Sequence, residues 1–388
     1  MKLPESPPLT GDDASSQFWR ELEAKLLPLE DHYLHWEHLR VKQIPIQNVN
    51  HKQWWQLVKA KRRARRQTLP FTDRQARAFY WVFDDRLMKK LSQIERCLTL
   101  TLPPSRDIGW QANAYIDEAI GSAQLSGIKI VDSVAQELLR AGRPIENENE
   151  RTILNYYHVL STIVQQPIVS NGGLQSSIAG LVQDLVIPPL SSEQDKKLQL
   201  LCEFADQDVD SFIGFMHPIL KAIIVHFILS NDELFANAST GVARALFYQQ
   251  VINADYFAMQ SISISQQLVQ DWQAYQRAFL FTYTDDNDMT YFLMQQLDNL
   301  LMAIKRFIAA SKLSAKGYVE KTAALNSRQR FILAEMQAHP QWQYRIAAVQ
   351  HRFRITYETA RTDLLGLVQK GFVVQRKIAK AFVYRVKQ

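Results

Sequence analysis

Apolar residues recur along most of the chain at three- and four-residue spacings, and strictly alternating runs are few. The pattern therefore predicts a body that is mainly α. Helices are expected over residues 18–27, 51–66, 86–98, 113–123, 131–141, 146–165, 211–227 and 241–252. A long stretch over 265–281 and a last body helix over 289–311 complete the series. Asn50 is placed to cap the second of these, and Trp54 and Trp55 are its expected anchors in the core. That helix ends in Lys59, Lys61, Arg62, Arg63, Arg65 and Arg66. Cations suit the negative end of a helix dipole, so these side chains are expected to be solvated, with contact to DNA phosphate as the alternative. Asn171-Gly172-Gly173 and Pro188-Pro189 mark an irregular segment.

After residue 313 the pattern changes. The polar segment 314–324 reads as a linker to a small C-terminal domain, 325–388. Helices over 328–339, closed by Pro340, and over 346–353 are followed by a third over 357–370, with Thr356 as its cap and Gly371 just past its end. Two β-prone runs, 372–374 and 382–386, come last. This order is the layout of a winged helix-turn-helix. Arg352, Arg354, Thr356, Tyr357, Thr359 and Arg361 gather around the start of its third helix, where side chains reach base edges or flanking phosphates. Arg376, Lys377 and Lys380 fall in the wing, suited to backbone phosphates.

Charge sharpens that expectation. From Leu325 onward 12 Lys or Arg face only Glu335, Glu358 and Asp363, a net of +9; the whole chain carries +6, which leaves −3 for the rest. A basic module on a mildly acidic body is the footprint of a reader of double-stranded DNA, although the same module also serves in protein docking. A homodimer fits such a reader, because winged helices often bind two half-sites.

Composition narrows the class. At 388 residues the chain exceeds one ordinary core, and its 47% apolar and 22% charged residues are those of a globular protein. Cys97 and Cys202 stand far apart, in no disulfide framework and in no metal-ligand spacing. Residues 1–16 lack the basic start and apolar run of a signal peptide, so a cytoplasmic location is expected. The apolar stretch 212–229 contains His217, Pro218, Lys221 and His226, so it reads as a buried helix and no membrane partner is expected.

The run from Pro218 to Leu246 points to a family. Its His226-Phe227, Phe235 and Val242-Ala243-Arg244-Ala245-Leu246 resemble, without a gap, the core of Fic (filamentation-induced-by-cAMP) proteins. There a helix with an internal His-Phe leads into the loop His-x-Phe-x-Asp/Glu-Gly-Asn-Gly-Arg-x-x-Arg and a second helix. Residues 118–128 resemble the inhibitory-helix motif Ser-x-x-x-Glu-Gly at Ser122, Ser126 and Gly127. Asn155-Tyr156-Tyr157, Pro188-Pro189 and Asp288-Met289-Thr290 resemble further landmarks in the same order. With its tail, the chain resembles the bacterial type that ends in a winged helix. The resemblance implies a helical N-terminal region over 1–105 and a Fic-like domain over 106–313, with a degenerate motif at 233–244.

Fic proteins transfer a nucleotidyl group, usually AMP, to a hydroxyl on a target protein, with the motif His as base. Here Glu233 stands at that place, and the acidic magnesium ligand is Asn237. Gly-Asn-Gly has become Ala238-Ser239-Thr240, whose Cβ atoms resist the positive φ angles of a phosphate-binding nest. The first motif Arg is Gly241 and only the second survives, as Arg244; the inhibitory Glu is Ser126. Glu233 and Glu118 are the candidate partners of Arg244, and a plain solvated helix residue is equally expected. The resemblance thus implies a DNA-binding transcriptional regulator built on a catalytically inactive Fic fold, with no cofactor and no metal. The alternatives are a divergent protein nucleotidyltransferase using ATP and magnesium, or a nucleotide sensor.

Overall fold

The computed structural model describes residues 17–30, 32–100, 108–141, 143–165, 190–206, 216–232, 239–338, 343–378 and 381–387. The chain divides into two compact units, Met1–Phe307 and Ile308–Gln388, and its described residues are mainly helical. None of the described helices is long and apolar enough to cross a membrane.

The first unit opens with helices α1 (Gln17–Leu26), α2 (Trp36–Leu39) and α3 (His51–Ala64). Asn50 caps α3 as expected. Its side chain accepts from Gln53 N–H at 2.9 Å while the Gln53 side chain accepts from Asn50 N–H, a reciprocal capping box. Trp54 and Trp55 are fully buried in a cluster with Leu22, Leu26, Leu39 and Val58. An antiparallel hairpin follows, β1 (Arg66–Thr72) and β2 (Ala78–Val82), which helical periodicity does not predict. The signal for it is the aromatic and β-branched run Phe79-Tyr80-Trp81-Val82.

Next come α4 (Asp85–Leu100), α5 (Ile108–Leu125), α6 (Asp132–Ala141), α7 (Glu148–Gln165) and α8 (Ser192–Asp206), the last of which was not expected. Helices α9 (Pro218–Asp232) and α10 (Ser239–Asn253) pack along each other at the centre, with α5 against α7 and α10. α9 begins at Pro218 and not at 211, since proline is favoured in a first turn. It is apolar around its whole circumference and buried, with Phe227 edge-on to Phe79 and Phe292 and stacked on Phe279.

The stretch expected as one helix over 265–281 is broken at Asp271 into α11 (Ser265–Gln270) and α12 (Trp272–Thr284). The last body helix, α13 (Thr290–Ala323), runs past residue 311 through most of the segment read as linker. That segment has one glycine and no proline, and its Ala, Lys and Glu residues favour helix. Asn171 to Gly173 and the pair Pro188-Pro189 lie outside the described residues.

The cationic end of α3 departs furthest from expectation. Lys61, Arg63, Arg65 and Arg66 are exposed, but Lys59 and Arg62 are buried. Arg62 donates to Glu30 Oε1 at 2.6 Å and to Tyr291 Oη at 2.7 Å, and Lys59 donates to Asp285 Oδ1 at 2.8 Å. A buried charge persists only where it is paired, and here the partners come from the loop before α2, the turn after α12 and the start of α13.

In the second unit α14 (Ser327–Ala338), α15 (Ile346–Phe353) and α16 (Tyr357–Gln369) precede β3 (Val373–Ile378) and β4 (Ala381–Val386). These strands pair antiparallel from Val373↔Val386 to Ile378↔Ala381, and Tyr344 adds a bridge to Tyr384 on β4. Ile332, Leu333, Val349, Leu364, Leu367 and Tyr384 form one core. The turn from α15 to α16 places Arg354 in the left-handed region, φ 51°. Gly371, φ +77°, ends α16 in a conformation that costs other residues about 1–2 kcal/mol. Asp363 is buried on α16 and accepts from Asn326 Nδ2 and Arg328 Nε, both at 2.8 Å, which fixes the entry to α14.

Candidate functional site

Two places gather the residues singled out by sequence. The first lies where the end of α5 meets α10. Ser122 is buried on the last turns of α5, and Gly127, φ +81°, ends the helix with Ile128 N–H donating to Ala123 O at 3.0 Å. Ser126 is thereby held one turn beyond Ser122, where its hydroxyl donates to Ser122 O at 3.0 Å.

Arg244 reaches this turn from α10. It is not solvated: only 4% of its surface is exposed. Nor does it pair with Glu118. Its Nε donates to Ser122 Oγ at 2.5 Å, and its Nη2 donates to Ser122 O at 2.7 Å and to Ser126 Oγ at 3.1 Å. All three acceptors are neutral oxygens. Glu118, also buried, is occupied by Tyr248 Oη at 2.9 Å, Ser263 Oγ at 2.9 Å, Ser265 N–H at 2.8 Å and the Ser265 hydroxyl. Beside Arg244, His226 meets Tyr275 Oη at 3.1 Å, and burial first, then the Arg244 charge, lowers its pKa to about 3. The imidazole is neutral at pH 7.

Gly241, where the motif has its first Arg, has no room for any side chain. A Cβ there would fall 2.3 Å from Tyr156 Oη and 2.4 Å from its Cζ. Tyr156 of α7 is 6% exposed, and its hydroxyl lies 3.5 Å from Ser126 Oγ. Its ring therefore lies against the first turn of α10. In the sequence Tyr156 resembles no more than a helix landmark of the family; the signal for its contact is the Gly at 241, a space left for a neighbour. Glu233, Phe235, Asn237 and Ala238 lie outside the described residues, and Ser239 and Thr240 open α10.

Among the described residues Arg244 is bound to Ser122 and Ser126, Tyr156 lies against Gly241, and no group of three His, Cys, Asp or Glu is arranged for a metal ion.

The second place is the face around the start of α16. Thr356 caps that helix by accepting from Thr359 N–H at 3.2 Å. Arg354 and Tyr357 are exposed before and after the cap, while Thr359 is half-buried. Arg361 is exposed and donates to Glu358 at 2.7 Å, and Arg352 pairs with Glu335 at 2.7 Å. The Arg361–Glu358 pair is exposed on both sides, a kind that contributes about 0–1 kcal/mol, whereas Glu335 is partly buried. Arg376 and Lys377 are exposed on β3, and Lys380 lies outside the described residues.

No family model matches the sequence, and no curated protein sequence matches it. Solved structures do. A Fic family protein from Desulfovibrio desulfuricans G20 is similar with a TM-score of 0.54 at 11% identity, over 79% of this chain and 97% of that one. Fic-1 from C. elegans gives 0.47 at 13% identity, over 58% of this chain and 71% of that one. A Fic domain containing signaling protein from Bacteroides thetaiotaomicron gives 0.43 at 15% identity, over 59% of this chain and 98% of that one. The first of these likenesses shows that the chain has a Fic-like fold.

Proposed function

We propose, from its Fic-like fold, that this protein is a DNA-binding transcriptional regulator whose first unit no longer transfers nucleotides. The observation that carries the reading is the exposed basic face of the second unit. Arg354, Arg361, Arg376 and Lys377 surround a capped helix start, in a helix-helix-helix-hairpin order that is the order of a winged helix-turn-helix. Phosphates are attracted to such a face both by the cations and by the free N–H groups of a helix N-terminus. In this reading α16 enters the major groove and the β3–β4 hairpin contacts the flanking backbone.

The first unit supports the same reading by what its residues are occupied with. Arg244 is bound into α5, and Tyr156 lies on Gly241, so neither motif position is open to a phosphate. A nucleotidyltransferase or a nucleotide sensor would need both places to rearrange. The loss of the inhibitory Glu at Ser126 accords with a site that has no activity left to restrain.

The test is fluorescence anisotropy of full-length protein with labelled genomic duplexes across a salt series. Binding is expected to weaken with salt at a slope near −0.9 per phosphate contact, and Lys377→Ala is expected to flatten that slope by about 1. Arg361→Ala weakens binding, and Arg66→Ala, in the first unit, leaves it unchanged. No binding at low salt rejects the proposal. Label transferred from α-labelled ATP, GTP, UTP or CTP to protein, abolished in Glu233→Ala, would establish the enzyme instead. A homodimer on a two-fold operator is the assembly we expect, read by sedimentation with and without DNA.

A further inference from the structure

The first unit contains a second recess, far in sequence from the α5–α10 contact. It is a cleft of about 700 Å³ bordered by the segment before α2 and by α4, α12 and α13, and its volume falls in the range of small-molecule sites. Its floor is aromatic: Tyr33, Phe281 and Tyr291 all line it. The rings are held from behind. Tyr33 donates to Asp288 Oδ2 at 2.6 Å and carries the Arg62 guanidinium 3.6 Å from its ring centroid. Tyr291 accepts from Arg62 and donates to Asp285 Oδ2 at 2.8 Å, and Phe281 is stacked on His35 at 4.4 Å. A floor fixed in this way loses little freedom when something binds to it.

The rim is charged. Arg86, Lys89, Lys90 and Arg277 line the cleft with Asp271 and Asp298, and Asp84 and Glu37, outside the lining, are partners of Arg86 and Arg277. Lys90 is paired with Asp298 and Arg86 with Asp84, whereas Lys89 is exposed on α4 and takes part in none of the described ion pairs. The unused polar atoms are donors. Arg277 gives Nη2 to Glu37 at 3.0 Å, but its Nε is buried without a partner. Gln295 has its Oε1 taken by Gln296 at 2.7 Å, and its Nε2 is likewise buried without a partner. Buried donors left unmade are costly, and both belong to residues that line the cleft.

We infer that this cleft binds a small aromatic anion, with its flat body on the Tyr33, Phe281 and Tyr291 rings and its carboxylate or phosphate head toward Arg277, Gln295 and Lys89. In a regulator such an occupant is an effector, a role that the proposed DNA binding leaves unfilled. The binding claim stands on the first unit alone and is independent of that function.

Saturation-transfer NMR and calorimetry on the full-length protein test it with three probes: benzoate, phenyl phosphate and neutral benzyl alcohol. At least one anion is expected to bind with a Kd of about 1 mM or tighter, and benzyl alcohol about 10-fold more weakly. Whichever anion is preferred identifies the head group. Lys89→Glu, on the exposed face of α4, is expected to weaken the anion about 5-fold or more without changing the melting temperature, while Phe281→Leu weakens anion and alcohol alike. Absence of binding by both anions at ~10 mM overturns the inference. So does anion binding that is unchanged in Lys89→Glu and Gln295→Leu, or that benzyl alcohol equals.

Discussion

Gly241→Ala probes the closed motif with the smallest available perturbation. The added methyl would stand 2.3, 2.4 and 2.5 Å from Oη, Cζ and Cε1 of Tyr156, so the buried ring must move as a body. Overpacking of this kind costs about 1–3 kcal/mol. Against it stands a gain of about 1 kcal/mol from replacing glycine by alanine in a helix. The single variant therefore nets anywhere from about 0 to 2 kcal/mol of destabilisation, so a double-mutant cycle is required to separate the two terms. In a Tyr156→Ala background the clash is gone and only the propensity gain remains, which makes Gly241→Ala stabilising there. The coupling energy between the two substitutions therefore equals the clash, about 1–3 kcal/mol. Urea unfolding of the four proteins, followed by tryptophan fluorescence, reports on the first unit, which holds seven of the eight tryptophans. A coupling below about 0.5 kcal/mol would show that Tyr156 does not occupy the place of the missing arginine.

Arg62→Met leaves Glu30 and Asp285 without their guanidinium, and removal of one partner from such a buried pair costs about 3–5 kcal/mol. Its exposed neighbour changed in the same way, Arg63→Met, should stay within about 0.5 kcal/mol, and equal effects in the two variants would contradict the burial of Arg62. The stability of the first unit should also depend on His226. Its pKa is lowered to about 3 in the folded chain, whereas an unfolded histidine titrates near ~6.5. The unfolded state takes the proton first as pH falls. The contribution of His226 is therefore complete above pH ~6.5 and is lost toward its folded pKa, by about 2 kcal/mol between pH 6.5 and 5. The stability difference between wild type and His226→Gln should shrink by that amount over the interval; a difference constant with pH would count against a neutral buried imidazole.

Local signals carried the sequence reading a long way. Asn50 with Gln53 three residues on marks the start of α3, and Thr356 and Gly371 bracket α16, whose expected span 357–370 ends one residue past the observed Gln369. The mainly helical body followed from periodicity, and the Fic-like fold from a handful of residues kept in order at 11% identity to a solved relative. What escaped was long-range. Lys59 and Arg62 look like every other cation at the end of α3, and what turns them inward is distant in sequence: Glu30, 32 positions before Arg62, and Asp285 and Tyr291, more than 200 positions on. For Arg244 the sequence offers Glu233, Glu118 or solvent; its described acceptors are Ser122 of α5 and Ser126 just past that helix, 122 and 118 positions earlier. The hairpin β1–β2 was hidden because its strands are short and helices surround it.

The pairing of α3 with the turn after α12 has a consequence for how the chain is made. Lys59 leaves the ribosome well before Asp285 exists, a gap of 226 residues, whereas Glu30, the partner of Arg62, is already made. At 5–20 residues per second that is roughly 11–45 s during which one cation destined for the interior lacks its counter-charge. Early collapse of α3 with its tryptophans would bury Lys59 unpaired, so the N-terminal segment is expected to remain open until translation has passed residue 285.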